Sequence, residues 1–191
     1  MDDTTNQFAV HSINIVVVGA EGVGKSSITI YKTLGLFIEE YDPTFQNVYK
    51  ISIRQHKTLF CLNILDTAGA CIMRNQSLIG GEGFIVVYSI TDENSFDEMQ
   101  NILSHILALK EVDFVPMVIV GNKCDLELDR KVQTKAGENV AEKHRAAFFE
   151  TSAKFGINVD EAFEPIINEL IQKKMSEIGI KIEEKKACVV C

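Results

Sequence analysis

The octet Gly19-Ala20-Glu21-Gly22-Val23-Gly24-Lys25-Ser26 follows directly on the apolar, β-branched run INIVVV at 13–18. Such a run reads as a strand buried on both faces. The residues from Lys25 to Leu34 read as a helix, with Gly35 as a left-handed stop. A strand, a glycine-rich turn and a helix in immediate succession leave few folds open. The glycines let the backbone from Glu21 to Ser27 wrap so that its N–H groups and the helix N-terminus face phosphate oxygens; Lys25 supplies a point charge and Ser26 a hydroxyl for Mg²⁺. An ordinary strand-to-helix turn would account for the octet taken alone, so its meaning depends on the rest of the chain.

The rest alternates strand and helix. Residues 45–54 alternate apolar and polar, and 58–65 follow the polar QHK as a second strand, which predicts a hairpin. FIVVYSI at 84–90 precedes a helix in which Ser95 and Glu98 have capping-box spacing and Phe96, Met99, Leu103, Ile106 and Leu107 share one face. The pattern repeats with VPMVIVG at 115–121, a weaker helix near 134–145, the strand AFFET and a helix from about 159. That last helix contains Pro165, which should bend it or delay its start. Six strands in this order predict an α/β fold of three layers: a mostly parallel six-stranded sheet between helices, with one antiparallel edge strand from the hairpin. At 191 residues, with 46% hydrophobic and 24% charged side chains, the chain suits one domain.

Composition removes several functions. A net charge of −8 argues against an extended nucleic-acid surface, which needs clustered Lys and Arg. The five cysteines, at 61, 71, 124, 188 and 191, have no zinc-like spacing within the domain and suit reduced thiols. The acidic, polar start MDDTTNQFAVHS lacks a secretory signal's features, and no apolar run approaches a membrane span, so a soluble cytosolic body is expected. Any anionic ligand must be held locally.

Three further motifs fall at predicted strand ends. Leu65-Asp66-Thr67-Ala68-Gly69 places a carboxylate where it can hold Mg²⁺ through water and the Gly69 N–H where it can reach a γ-phosphate. Asn122-Lys123-Cys124-Asp125 follows the strand VPMVIVG, and a carboxylate such as Asp125 can accept two hydrogen bonds from the N–H and NH₂ edge of guanine that adenine does not offer. Glu150-Thr151-Ser152-Ala153-Lys154 ends the last strand and could supply backbone N–H groups to a base oxygen.

These four motifs in this order resemble the small GTPases. YDPT at 41–44 and the ending CVVC make the chain similar to the Ras family in particular, over about residues 12–175 and the last four. The resemblance implies a P-loop NTPase G domain at 12–175, between an N-terminal extension at 1–11 and a flexible tail at 176–191. It implies GTP and GDP as ligands, Mg²⁺ as metal and GTP hydrolysis as activity. Phe37 would pack on the guanine, with Tyr41 also in the nucleotide site. Thr44 would ligate Mg²⁺ and donate to the γ-phosphate. Lys123 and Lys154 would flank the base, with Ser152 and Ala153 beside them. Lys25, Thr44 and Gly69 would serve catalysis, and Ser26, Thr44 and Asp66 would hold the metal. Two loops, about 38–47 and 69–80, would be ordered by GTP and relax without the γ-phosphate. The implied partners are a guanine nucleotide exchange factor, effectors that read those loops and a GTPase-activating protein. An ATPase or nucleotide kinase using the same phosphate loop is disfavoured by NKCD and by the lack of a substrate-binding insertion.

The chain departs from the family at telling places. Ala70 stands where a Ras-like sequence has the glutamine that orients the attacking water, and a methyl can neither donate nor accept a hydrogen bond. The loop before Met73-Arg74 is about three residues shorter, so Gln76 would have to substitute from an altered backbone. Glu21 replaces a phosphate-loop glycine near where a partner's arginine finger would dock. Gln46 and Asn47 stand where two acidic residues are usual, which retunes partner choice. Slow or impaired hydrolysis is expected, the alternative being a binding module that stays loaded with GTP and recruits effectors. Cys188-Val189-Val190-Cys191 fits C-a-a-X, with Cys188 prenylated and the last three residues removed. Residues 173–187 hold five lysines against three glutamates, a weak second membrane signal. By resemblance the anchor faces the cytoplasmic side of the plasma membrane.

Overall fold

The computed structural model describes residues 9–39, 46–55, 57–67 and 75–179. Its elements are β1 (Ala9–Gly19), α1 (Lys25–Leu34), β2 (Gln46–Gln55), β3 (Thr58–Thr67), α2 (Asn75–Gly80), β4 (Gly83–Ser89), α3 (Glu93–Lys110), β5 (Met117–Asn122), α4 (Thr134–Lys143), β6 (Ala147–Thr151) and α5 (Val159–Glu177), with a 3₁₀ turn at Glu127–Asp129. The six strands form one sheet in the order β2-β3-β1-β4-β5-β6. Only the β2–β3 pair is antiparallel. The expected architecture, including the antiparallel edge strand, is the one observed.

Helices pack on both faces. Ile13, Ile15 and Val17 of β1 point with Phe60, Leu62 and Ile64 of β3 into a core closed by Ile28 of α1 and the α5 stripe Phe163, Ile166, Ile167, Leu170 and Ile171. Val16 and Val18 join Val86 and Tyr88 of β4 in a second core closed by Met99, Leu103 and Ile106 of α3. Alternation along each strand thus feeds two cores, which explains why β1 and β4 read as unbroken apolar runs. Among the described residues no helix is long and apolar enough to cross a membrane.

Two local expectations are corrected. The capping box at Ser95 and Glu98 does not form: α3 begins at Glu93, and Asp92 is its N-cap, accepting the Asn94 N–H at 3.1 Å. Ser95 is turned inward, donating to Asp92 O at 2.7 Å and accepting the Ser89 N–H at 3.0 Å. A carboxylate one turn earlier outcompetes the serine because it meets the first free N–H groups. Pro165 does not delay α5, which runs unbroken from Val159 to Glu177; the buried stripe on both sides of it holds the helix together. Neither α2 nor the 3₁₀ turn has a hydrophobic period long enough to read from sequence.

Tyr88 carries a fault that the surrounding fold tolerates. Its side chain is fully buried, its hydroxyl has no hydrogen-bond partner among the described residues, and burial pushes its pKa far up. A Cβ placed on Gly121 or Gly137 would lie within 2.7 Å of that oxygen, so no larger residue fits beside it. Tyr88→Phe removes an unpaired polar atom without changing shape. It is expected to stabilise the domain by about 1 kcal/mol, read as a rise in Tm of about 2–4 °C; an unchanged or lower Tm would show that the hydroxyl finds a partner.

Candidate functional site

All five parallel strands end at one edge of the sheet, and β1 is flanked there by β3 on one side and β4 on the other. Chain direction and register carry the four motifs to this edge: Val17 pairs with Asp66, Gly19 with Val87, and Asn122 with both Ser89 and Thr151. The carboxyl edge at such a switch point is where open α/β sheets bind ligands.

The phosphate loop is built around its lysine. Lys25 is buried, and its Nζ donates to Ala20 O at 2.6 Å, closing the loop over the start of α1. Gly24, the N-cap of α1, has φ 98°, a left-handed value that other residues adopt at a cost. A Cβ there would lie 2.2 Å from Asn122 Nδ2. Glu21 and Gly22 are exposed at the turn, Val23 is buried beneath it, and Ser26 and Ser27 are partly buried in the first turn of α1.

Asp66 is fully buried, and neither carboxylate oxygen completes a hydrogen bond of normal geometry among the described residues. Burial pushes its pKa up, against the Ser26 hydroxyl and the Lys25 ammonium, which pull it down. Burial likewise lowers the pKa of Lys25, opposed chiefly by Asp66. An orphaned, buried carboxylate is costly unless a cation joins it. No cluster of three or more His, Cys, Asp or Glu that could hold a metal occurs among the described residues. One carboxylate and one hydroxyl beside the glycine-rich loop could hold a Mg²⁺ that takes its other oxygens from phosphates and water.

Asn122 joins the motifs. It is buried, and its Nδ2 donates to Val23 O at 2.9 Å in the phosphate loop. Its Oδ1 accepts from Thr151 Oγ1 at 3.1 Å and from Ala153 N at 3.3 Å. Lys123 takes a left-handed φ of 67° directly after it, and Lys123 and Asp125 are half-buried. The Ser152 N–H donates to Ile157 O at 3.1 Å and the Ala153 N–H to Asn122, so either would share its hydrogen with a base oxygen in a three-centre bond. Lys154 is exposed, with its ammonium 5.8 Å from the Phe155 ring and 3.9 Å from Glu39 Oε1. Phe37 is 36% exposed after the end of α1. Tyr41, Thr44, Gly69, Ala70 and Cys188 lie outside the described residues, as does most of the 38–47 loop and the first half of 69–80.

Some supports of the edge had no signal in a single sequence. Arg130 donates through Nη1 and Nη2 to the two carboxylate oxygens of Glu150, at 2.6 and 2.8 Å, and also grips Glu127, fixing the start of the last loop from the side. Gly156, at φ 68°, is pressed against the Tyr31 phenol of α1, where a Cβ would fall 1.9 Å from the hydroxyl oxygen. Both pairs are distant in sequence, and nothing in their spacing marks them.

Comparison with known proteins agrees with this geometry. A family model described as the Ras family matches residues 14–172. The chain is 39% identical over 182 residues to Ras-like protein 2 of Mucor circinelloides f. lusitanicus, covering 93% of this chain and 92% of that protein. It is 45% identical over 165 residues to Ras-like protein 1 of Saccharomyces cerevisiae, covering 85% of this chain and 53% of that protein. The chain thus spans about half the length of the yeast relative.

Proposed function

The chain belongs to the Ras family of small GTPases, and from that membership we propose that it is a lipid-anchored GTP/GDP switch that turns itself off slowly. The observation that carries the reading is the meeting, at one sheet edge, of the Lys25 loop, the orphaned Asp66 carboxylate and the Asn122 brace to the base loop. The backbone from Glu21 to Ser27 and the Lys25 ammonium bind the phosphates, and Asp125 with Lys123, Lys154 and Phe37 holds the guanine. Ser26, Asp66 (through water) and Thr44 hold Mg²⁺, which neutralises charge on the phosphates when bound. Thr44 and Gly69 sense the γ-phosphate. An exchange factor loads the switch, effectors read the 38–47 and 69–80 loops, and Cys188 carries a prenyl group that holds the protein at the cytoplasmic face of the plasma membrane.

A second reading, a module that stays loaded with GTP and recruits effectors without meaningful hydrolysis, is favoured by Ala70 and by the exposed charge of Glu21. Both readings share the binding site. Titration of nucleotide-free protein with fluorescent GDP and ADP analogues tests that site: tight, Mg²⁺-dependent GDP binding with no comparable ADP binding is expected, and equal affinities would defeat both.

Gly24→Ala checks the phosphate loop. The new methyl meets Asn122 Nδ2 and must adopt φ 98°, so GDP affinity should fall by about 10²-fold, roughly 3 kcal/mol; an unchanged affinity would mean that the nucleotide lies elsewhere. The anchor has its own check. Cys188→Ser should move the protein from the membrane to the soluble fraction on cell fractionation, and persistence on membranes would rule out prenylation as the main attachment.

A further inference from the structure

Two loops of the candidate site are joined by one buried guanidinium. The first loop runs from Asn122 through Asp125 into the 3₁₀ turn at Glu127–Asp129, and the second starts from Glu150 near the end of β6. Arg130 follows the turn directly. Its side chain is only 10% exposed, against 17% for Glu150 and 65% for Glu127.

Arg130 uses its whole donor set. Nη1 donates to Glu150 Oε1 at 2.6 Å and to Val132 O at 3.0 Å. Nη2 donates to Glu150 Oε2 at 2.8 Å and to Glu127 Oε2 at 2.7 Å, and Nε donates to Glu127 at 2.9 Å from each carboxylate oxygen. A guanidinium carries five N–H groups in a fixed plane, and each has a partner here. Hydrogen bonding to Glu150 and then to Glu127 holds the pKa of Arg130 far above its ordinary value. The fork is also anchored from behind. The main-chain N–H groups of Lys131 and Val132 both donate to Ile90 O, at 2.8 and 2.9 Å, and the Ile90 N–H donates to Asn122 O at 3.0 Å. An exposed ion pair would contribute little; a planar fork on a fixed backbone, shielded from water, sets the distance between the two carboxylates it holds.

That distance matters for a base gripped from two sides. In the proposed nucleotide site Asp125 takes the N–H and NH₂ edge of guanine while the Ala153 N–H takes the base oxygen. Along the chain Asp125 lies between Asn122 and Arg130, and Ala153 lies three residues beyond Glu150. The near ends of the two loops are tied by the Cys124 N–H, which donates to Thr151 O at 3.0 Å; Arg130 ties the far side. We propose that Arg130 is a positioning residue for guanine, fixing the separation of the Asp125 and Ala153 loops and so setting how strongly the site prefers guanine over a base that lacks the 2-amino group. The proposal rests on the guanine reading above and extends it to a residue outside the four motifs.

The test compares GDP with inosine diphosphate, which lacks the 2-amino group and so forgoes one of the two bonds to Asp125. Affinities are read by competition against a fluorescent nucleotide for the unsubstituted protein, for Arg130→Lys, and for the pair Arg130→Met with Glu150→Gln. Arg130→Lys keeps the charge and loses the fork. The pair removes both buried charges together, so neither is left unpaired. Circular dichroism identifies the variants that fold, and the neutral pair keeps the comparison available if the lysine variant does not. Both variants are expected to lose more affinity for GDP than for inosine diphosphate, lowering the preference for GDP about tenfold, as a slight misplacement of a binding group does. Equal losses for the two nucleotides would make Arg130 a support of the fold alone and overturn the proposal, as would a preference that no folded variant moves. The guanine reading is reported separately by the unsubstituted protein: equal affinities there defeat that reading, whereas a normal GDP preference that the variants leave intact defeats only the positioning role.

Discussion

GTP loaded onto the purified protein is expected to turn over in a single-turnover assay far more slowly than on an ordinary Ras-like domain, and a Ras-type activating protein should accelerate it little. Two devices set the ordinary rate. One is the side chain that orients the attacking water, and Ala70 offers nothing in its place. The other is the partner's arginine, worth about 10³–10⁵ in rate in GTPases of this very kind, or roughly 4–7 kcal/mol. Glu21 stands exposed on the turn that would receive it, bringing bulk and a carboxylate to the approach of a guanidinium. A single repair should therefore fail: Ala70→Gln restores an amide but leaves a shorter loop, and Glu21→Gly clears the turn but orients no water. A normal basal rate with full acceleration would refute this account, and normal acceleration in the Glu21→Gly variant alone would assign the whole defect to the phosphate loop.

Asp125→Asn should exchange one base preference for another. A buried polar site discriminates by what it leaves unpaired, and sites built around a substrate hydrogen bond reject the wrong partner by about 10⁴–10⁵. On the proposed reading the carboxylate would accept from two guanine donors, whereas an amide would offer one acceptor and a new donor, which suits the extra carbonyl of xanthine. GDP affinity should fall by at least about 10³-fold while xanthosine diphosphate binding rises, both read by competition against a fluorescent nucleotide. Unchanged GDP affinity would place the base elsewhere. Asp125 is half-buried in the turn after β5, away from the Asn122 brace, so the substitution should leave the loop connections and the melting temperature intact.

What could be read from the sequence followed from period and punctuation. β1, β4 and β5 announced themselves as continuous apolar runs because each feeds two cores, and α1 was bounded by Lys25 and by Gly35, which takes φ 68°. The four motifs were legible because each ends a strand and parallel strands must end on one edge. What remained hidden depends on pairs remote in sequence. The choice of Asp92 over Ser95 as N-cap turned on Ser89, and the grip of Arg130 on Glu150 spans 20 residues. Alternation marks β2 as half-exposed, but its place at the end of the sheet among the described residues is seen only in the strand order.

Asn122 ties together two loops of the candidate site. Because one buried amide holds Val23 O on one side and Thr151 and Ala153 on the other, the phosphate loop and the base loop open as one cooperative unit. Moving the Val23 loop away breaks the Nδ2 bond, and moving the Thr151–Ala153 loop away breaks the two bonds to Oδ1, so either displacement leaves part of a buried amide unsatisfied. In hydrogen exchange the amides flanking Val23, Asn122 and Ala153 are expected to lose protection together.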